Sequence, residues 1–180
     1  KDIDAYERFI EQINMSSIQK VIFISSTSVY PVLNSIVTEE TVTMNTPLSK
    51  IENLFRNNTF FETTIIRFAG LFGPGRHPGS WFKNGKTIPQ PNGFVNMIHL
   101  EDCIEIIHEI LDQGCWGRTF NACSNDHPTR RDFYTNARKS LNFENPIFEE
   151  NSQLKYKIIS SKKLQQDLNY QFIHDNLLDI

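Results

Sequence analysis

Apolar positions along this chain follow two different spacings, and the change from one to the other marks its elements. Residues 4–14 place Tyr6, Phe9, Ile10 and Ile13 at helical intervals with acids in the first turn, which predicts a helix. Val21-Ile-Phe-Ile-Ser-Ser-Thr-Ser-Val-Tyr30 then gathers its apolar residues without alternation and ends in hydroxyls. A run of this kind predicts a parallel strand covered on both faces, with the preceding helix as its crossover. Residues 27–45 are polar, lack a period and read as a long loop, a length that is usually functional or mobile. Leu48, Ile51, Leu54 and Phe55 restore the helical spacing over 46–57, with Thr46 as N-cap and Pro47 at the first helical position. After Arg56-Asn-Asn-Thr59 comes the β-rich stretch 60–68. Strand, helix and strand with short connections predict a right-handed parallel crossover.

The stretch 70–93 is rich in Gly, Pro, Asn and Lys and is expected to form no regular element. An amphipathic helix is predicted over 98–111, with Asp102 in its first turn and Ile104, Ile107, Ile110 and Leu111 on one face. Short strands at 119–123, 146–148 and 158–159 and helices over 129–141 and 160–168 complete a small mixed unit. No internal repeat or low-complexity segment interrupts the pattern.

At 180 residues and 39% apolar content the chain is long enough for one domain with a real core. Eighteen basic and twenty-one acidic residues give a formal charge of −3 without a dense run of either sign, which argues against nucleic-acid or membrane-surface partners. Cys103, Cys115 and Cys123 are odd in number and lack a C-x-x-C spacing, so neither a disulfide framework nor a metal site is expected. Reduced thiols in a cytoplasmic protein fit best, and no apolar stretch near 18 residues or signal-like start stands against that.

The hydroxyl cluster lies where ligands of open α/β sheets collect, beyond the carboxyl end of a strand. Its residues Ser25, Ser26, Thr27, Ser28, Val29 and Tyr30 resemble the S-S-x-x-V-Y-G strand end of the extended short-chain dehydrogenase/reductase family, with Pro31 in place of the glycine. These are the NAD(P)-dependent epimerases and dehydratases of nucleotide-sugars. Thr64-Ile-Ile-Arg-Phe-Ala-Gly-Leu-Phe-Gly-Pro-Gly75 is similar to the family's next strand and R-x-x-x-[VIL]-[YF]-G-P loop, and Asn96-Met-Ile-His-Leu-Glu-Asp102 to its I-H-V-D-D segment. Phe120-Asn-Ala, Pro128-Thr-Arg-Arg-Asp-Phe-Tyr134 and Ile159-Ser-Ser-Lys-Lys-Leu-Gln-Gln-Asp-Leu-Asn-Tyr170 resemble the closing pieces of an atypical bacterial subgroup. No one of these motifs is specific, but four or five in one order are.

The resemblance implies an α/β fold: part of a Rossmann-like doubly wound parallel sheet over 1–75, then a small mixed α/β substrate-side region over 76–180, packed as one unit. It covers only the carboxyl-terminal part of a family member. The Gly-rich turn whose amides hold the cofactor pyrophosphate has no match, so about a hundred leading residues are expected to be missing. NAD or NADP is the implied cofactor if that half is present.

On the same resemblance Ser26 and Lys50 fall at catalytic positions, and Ser25, Lys50, Phe68, Ala69 and Gly70 border the cofactor. Thr27, Ser28, Arg76, Lys83, Asn96 and His99 are the candidate substrate contacts. Ser26 has an alternative reading as a strand-end hydroxyl, Lys50 as a solvated helix lysine, and His99 as a helix cap. His77 joins Arg76 and Lys83 as a candidate diphosphate ligand. Arg130 and Arg131 could likewise bind phosphate but at a helix start read rather as surface ion pairs, and Tyr30, the one phenol near the hydroxyls, reads as a packing residue and not as a proton donor. The family's catalytic tyrosine, four residues before the lysine, is replaced by Thr46. An alkyl hydroxyl is a far weaker acid than a phenol of pKa about 10 and cannot take over its proton transfer.

Three readings follow. The first is an epimerase/dehydratase-like oxidoreductase acting on a nucleotide-sugar or similar small molecule, with the helices over 4–14 and 46–57 as a candidate homodimer surface by family analogy. The second is a non-catalytic dinucleotide-binding or redox-sensing protein that kept the fold. The third is a stand-alone interaction module indifferent to NAD.

Overall fold

The computed structural model describes residues 2–82 and 85–180. Its elements are α1 (Ile3–Asn14), β1 (Lys20–Ser26), β2 (Ile36–Val37), α2 (Pro47–Arg56), β3 (Glu62–Phe68), β4 (Gly70–Phe72), β5 (Met97–His99), α3 (Leu100–Gln113), β6 (Thr119–Ala122), α4 (Arg130–Ser140), β7 (Ile158–Ile159) and α5 (Lys162–Leu168). Short 3-10 turns lie at Thr27–Val29 and Pro78–Ser80. Among the described residues no helix is long and apolar enough to cross a membrane.

The principal sheet runs in the order β1-β3-β6, and both pairs are parallel. Register brings Ser26 beside Phe68 and Phe68 beside Ala122, so all three strands end in one row. That row is the carboxyl edge from which the site is built. Two smaller parallel pairs, β4-β5 and β2-β7, extend the structure beyond it.

On one face of this sheet α1 and α2 bury Ile10, Ile13, Ile51 and Phe55. Phe23 of β1 stacks on Phe55 at 4.6 Å, and Phe61 completes the aromatic group. Each fully buried ring of this kind contributes roughly 1.5–3 kcal/mol. α2 begins as the sequence predicts: Thr46 accepts from the Ser49 amide at 3.2 Å, Ser49 returns a bond to the Thr46 amide, and Pro47 fills the first position. A second apolar cluster, containing Phe72, Ile88, Val95, Met97, Phe133, Tyr134 and Leu177, joins β4 and β5 to α4 and the C-terminal segment.

Four expectations change. Residues 70–93 hold β4 and a 3-10 turn, because Gly70 makes room for β4 to run beside β5. An added Cβ at Gly70 would stand 2.6 Å from the Met97 sulfur. The helix predicted from Ile98 starts at Leu100, after strand β5, and buries Asp102, Cys103, Ile106 and Ile110 while Ile104 and Leu111 stay exposed. Asp102 sets this rotation by accepting from the Tyr170 hydroxyl and the Ile173 amide at 2.7 Å each, and from the His174 amide at 3.1 Å. In place of a strand at 146–148 there is one bridge, Ile88 to Phe148. The long polar loop is tied down by β2-β7 pairing and by Glu39, which accepts from the Asn121 amide at 2.7 Å.

Candidate active-site cleft

β1 stops because Ser26 turns its hydroxyl onto the backbone, accepting from the Ser28 amide at 3.1 Å and capping the turn Thr27–Val29. The turn buries Thr27 and Val29 and leaves Ser28 exposed. Tyr30 anchors it from below. At 1% exposure its phenol donates to Asn121 Oδ1 at 2.8 Å and accepts from the Arg67 guanidinium. Burial pushes the Tyr30 phenol up, with Arg67 pulling the other way. Tyr30 is thus a packing residue, shielded from solvent.

Beneath lies a buried ionic network. Arg67 donates from Nε to Glu52 Oε1 at 3.0 Å and pairs through Nη2 with Oε2, and Ser25 also donates to Glu52. Alternation along the strand explains the division: Phe23, Ser25 and Arg67 face α2, while Ser26 turns to the other side.

The far wall comes from β5, β7 and α4. The Asn96 side chain spans two backbones, donating to Lys157 O and accepting from the Ile159 amide, both at 2.8 Å. Lys157 in turn donates from Nζ to Thr27 O at 2.9 Å and Tyr30 O at 2.8 Å, fixing the hydroxyl turn to the chain's last quarter. Burial pulls the Lys157 ammonium pKa down. At α4, Thr129 caps by accepting from the Asp132 amide at 3.1 Å, and the Arg130 guanidinium lies 5.7 Å from the Tyr134 ring. These walls enclose a cleft of about 360 Å³ lined by Ser26, Thr27, Ser28, Ala69, Gly70, Phe94, Val95, Asn96, Met97, Arg130, Tyr134 and Lys157.

Six of the sequence candidates therefore meet: Ser26, Thr27, Ser28, Ala69, Gly70 and Asn96. The others that the structure describes lie apart from the cleft lining. The Ser25 hydroxyl is committed to Glu52, and Phe68 is buried in the core. Lys50 is exposed on α2, and Thr46, at the tyrosine position, is a helix cap. Arg76 donates to Leu71 O at 2.7 Å, and His77 accepts from the Gly79 amide at 3.2 Å. Lys83 lies outside the described residues. Sequence reasoning missed Lys157, Tyr134 and Phe94 as lining, and for Arg130 preferred a surface ion pair over the phosphate contact it also allowed. Among the described residues Arg131 forms one, with Glu150 at 2.6 Å, and Arg130 does not. No local signal marked Lys157, whose partners are backbone carbonyls far along the chain.

His99 accepts the Glu101 amide on Nδ1 at 3.2 Å, so its neutral ring carries the proton on Nε2. Its ring centre lies 3.7 Å from that of His174, which bonds Glu101 at 2.7 Å. Donor atoms of these three residues lie within 4.8 Å of one another. With one His99 nitrogen facing an amide N–H and the other protonated, this group is a helix cap and not a ready-made metal site. Burial and the neighbouring His174 hold the His99 imidazole below its ordinary value.

Parallel strands crossing over through helices, with a hydroxyl-lined cleft at their carboxyl ends, make up the Rossmann-like α/β fold used by NAD-dependent epimerases and dehydratases. A UDP-glucuronic acid 4-epimerase from Bacillus cereus, solved in complex with NAD, superposes with a TM-score of 0.78 at 17% identity, over 97% of this chain and 62% of that one. A functionally unknown conserved protein from Silicibacter pomeroyi superposes with a TM-score of 0.81 at 20% identity, over 96% of this chain and 68% of that one. At such identities the likeness is one of fold. In sequence the chain is similar to Protein YeeZ of Escherichia coli strain K12, 34% identical over 176 residues that make up 94% of this chain and 64% of that protein. The chain thus spans slightly less than two thirds of this relative's length. No family model matches.

Proposed function

We propose that this protein is an NAD(P)-dependent oxidoreductase of the epimerase/dehydratase kind, acting on a nucleotide-sugar or similar hydroxylated substrate. The observation that carries the reading is the cleft at the carboxyl ends of β1 and β3, where Ser26 to Ser28 face Ala69 and Gly70. Ligands of open α/β sheets bind outside that edge. Ala69 and Gly70 bring no side chain larger than a methyl group to the cleft, which lets a flat ring approach the strand ends. A bound nicotinamide dinucleotide would supply the hydride acceptor. Ser26 has one hydroxyl hydrogen to offer, since its oxygen already accepts from the Ser28 amide, and that hydrogen would orient the substrate oxygen. Lys50, exposed on the neighbouring helix, would hold the cofactor ribose.

The reading extends to setting and assembly. Three buried free thiols fit a reducing cytoplasm, and the α1–α2 face, with Phe9 and Phe60 exposed, is our candidate dimer surface.

Titrating the full-length protein with NADH and NADPH, then following reduced cofactor in the presence of a nucleotide-sugar panel, tests this reading. We expect micromolar cofactor binding and slow turnover, with Ser26→Ala lowering kcat about 10²-fold or more, as for loss of one donor to a reacting oxygen. Cofactor binding without turnover of any sugar would favour the non-catalytic reading, and no cofactor binding would overturn both.

A further inference from the structure

We propose that the cleft recognises an anionic group on the substrate, a carboxylate or a phosphate, held between Arg130 and Lys157 close to the oxygen that Ser26 orients. The proposal deepens the oxidoreductase reading and rests on it for the identity of the reacting oxygen. Three observations support the charge. Arg130 and Lys157 are the two ionisable cations of the lining, and no carboxylate accompanies them, although the chain as a whole carries −3. The Arg130 Nε is buried and, among the described residues, has no hydrogen-bond partner. Arg130 as a whole is only partly buried, and its guanidinium makes no hydrogen bond among the described residues, so its outer nitrogens are left to meet an anion in the cleft. Arg130 also occupies the first position of α4, where the helix dipole disfavours a cation and favours an anion beside it.

Lys157 is fitted for the same task in another way. Two of its three ammonium hydrogens are spent on Thr27 O and Tyr30 O, which fixes the charge at the hydroxyl turn and leaves one donor over. Asn96 holds the backbone at Lys157 itself, through its carbonyl, and just beyond it, at the Ile159 amide. The cation is therefore placed before any ligand arrives, and little side-chain entropy remains to be lost on binding.

Size narrows the class. About 360 Å³ lies near the lower end of the roughly 300–1,000 Å³ usual for small-molecule sites, and Ser26 shares this one space with both cations. An anion between the two cations would therefore sit on the part of the substrate that Ser26 faces, at the sugar end. Acidic or phosphorylated sugars and comparable hydroxy acids meet that description.

Glucose, glucuronate and glucose 6-phosphate share a ring and differ at one carbon, bearing a neutral, a carboxylate and a phosphate group respectively. Calorimetric titration of the full-length protein with each, with NADH titrated in the same preparations, separates the possibilities. We expect one of the two anions to bind at least tenfold more tightly than glucose, the stronger naming the group, and Arg130→Gln to abolish that preference while NADH affinity stays unchanged. Lys157→Met should weaken the same anion, and because it also releases the hydroxyl turn, Arg130→Gln is the deciding variant. Equal affinity for all three sugars, or a preference that survives Arg130→Gln, would overturn the anion site even if NADH binds. Anion preference without NADH binding would leave the site standing and remove the oxidoreductase reading.

Discussion

Ser26 and Thr46 show how far one residue can be read from sequence. Ser26 was legible because a hydroxyl that ends a buried apolar run has few other places to go, and the structure puts it on the cleft. Thr46 was legible as a cap for a similarly local reason: threonine followed by proline and an apolar period is a helix start wherever it occurs. Its reciprocal bonding with Ser49 predicts that Thr46→Ala loses about 1 kcal/mol in a denaturant titration while cofactor affinity is unchanged. Lys157 was opaque for the opposite reason. Its partners are carbonyls about 130 positions away, and carbonyls are the same in every residue.

At the scale of elements, helical spacing found the helices, each of which buries one face, and apolar or β-rich stretches found β1 and β3. Spacing failed where burial is decided by a polar residue. α3 turns Asp102 inward with Cys103 and Ile106, an orientation that depends on the C-terminal segment and is invisible in the helix's own spacing. The join of α2 to β1 and β3 is polar too: Glu52, 1% exposed, receives Ser25 from β1 and Arg67 from β3. Removing one partner of such a pair leaves the other charged and desolvated, which costs about 3–5 kcal/mol. Glu52→Gln should therefore lower the unfolding free energy by about 3 kcal/mol. A chemical denaturation midpoint within error of the parent's would show that Tyr30 alone satisfies Arg67.

Over the whole molecule, acid sensitivity should be set in part by His127, half-buried between the end of β6 and α4 with Nδ1 bonded to Val95 O at 3.1 Å. Burial holds its imidazole below the ordinary value, against the pull of Val95 O, Asp126 and Asp175. As pH falls, the unfolded chain is protonated first, so the contribution is complete above about pH 6.5 and is lost from there downward, toward the folded-state value. We expect the melting temperature to fall between about pH 7.5 and 5.5, and His127→Asn to make the fall shallower. It should not flatten it, since His99 is shifted the same way. An unaltered slope would assign the acid sensitivity elsewhere. The staple between Lys157 and the carbonyls of Thr27 and Tyr30 also bears on synthesis. During translation the hydroxyl turn leaves the ribosome long before the lysine that secures it, so the cleft stays unsecured until Lys157 has emerged. A nascent chain stalled short of Lys157 would have its sheet started and its cleft still without the staple that holds the hydroxyl turn.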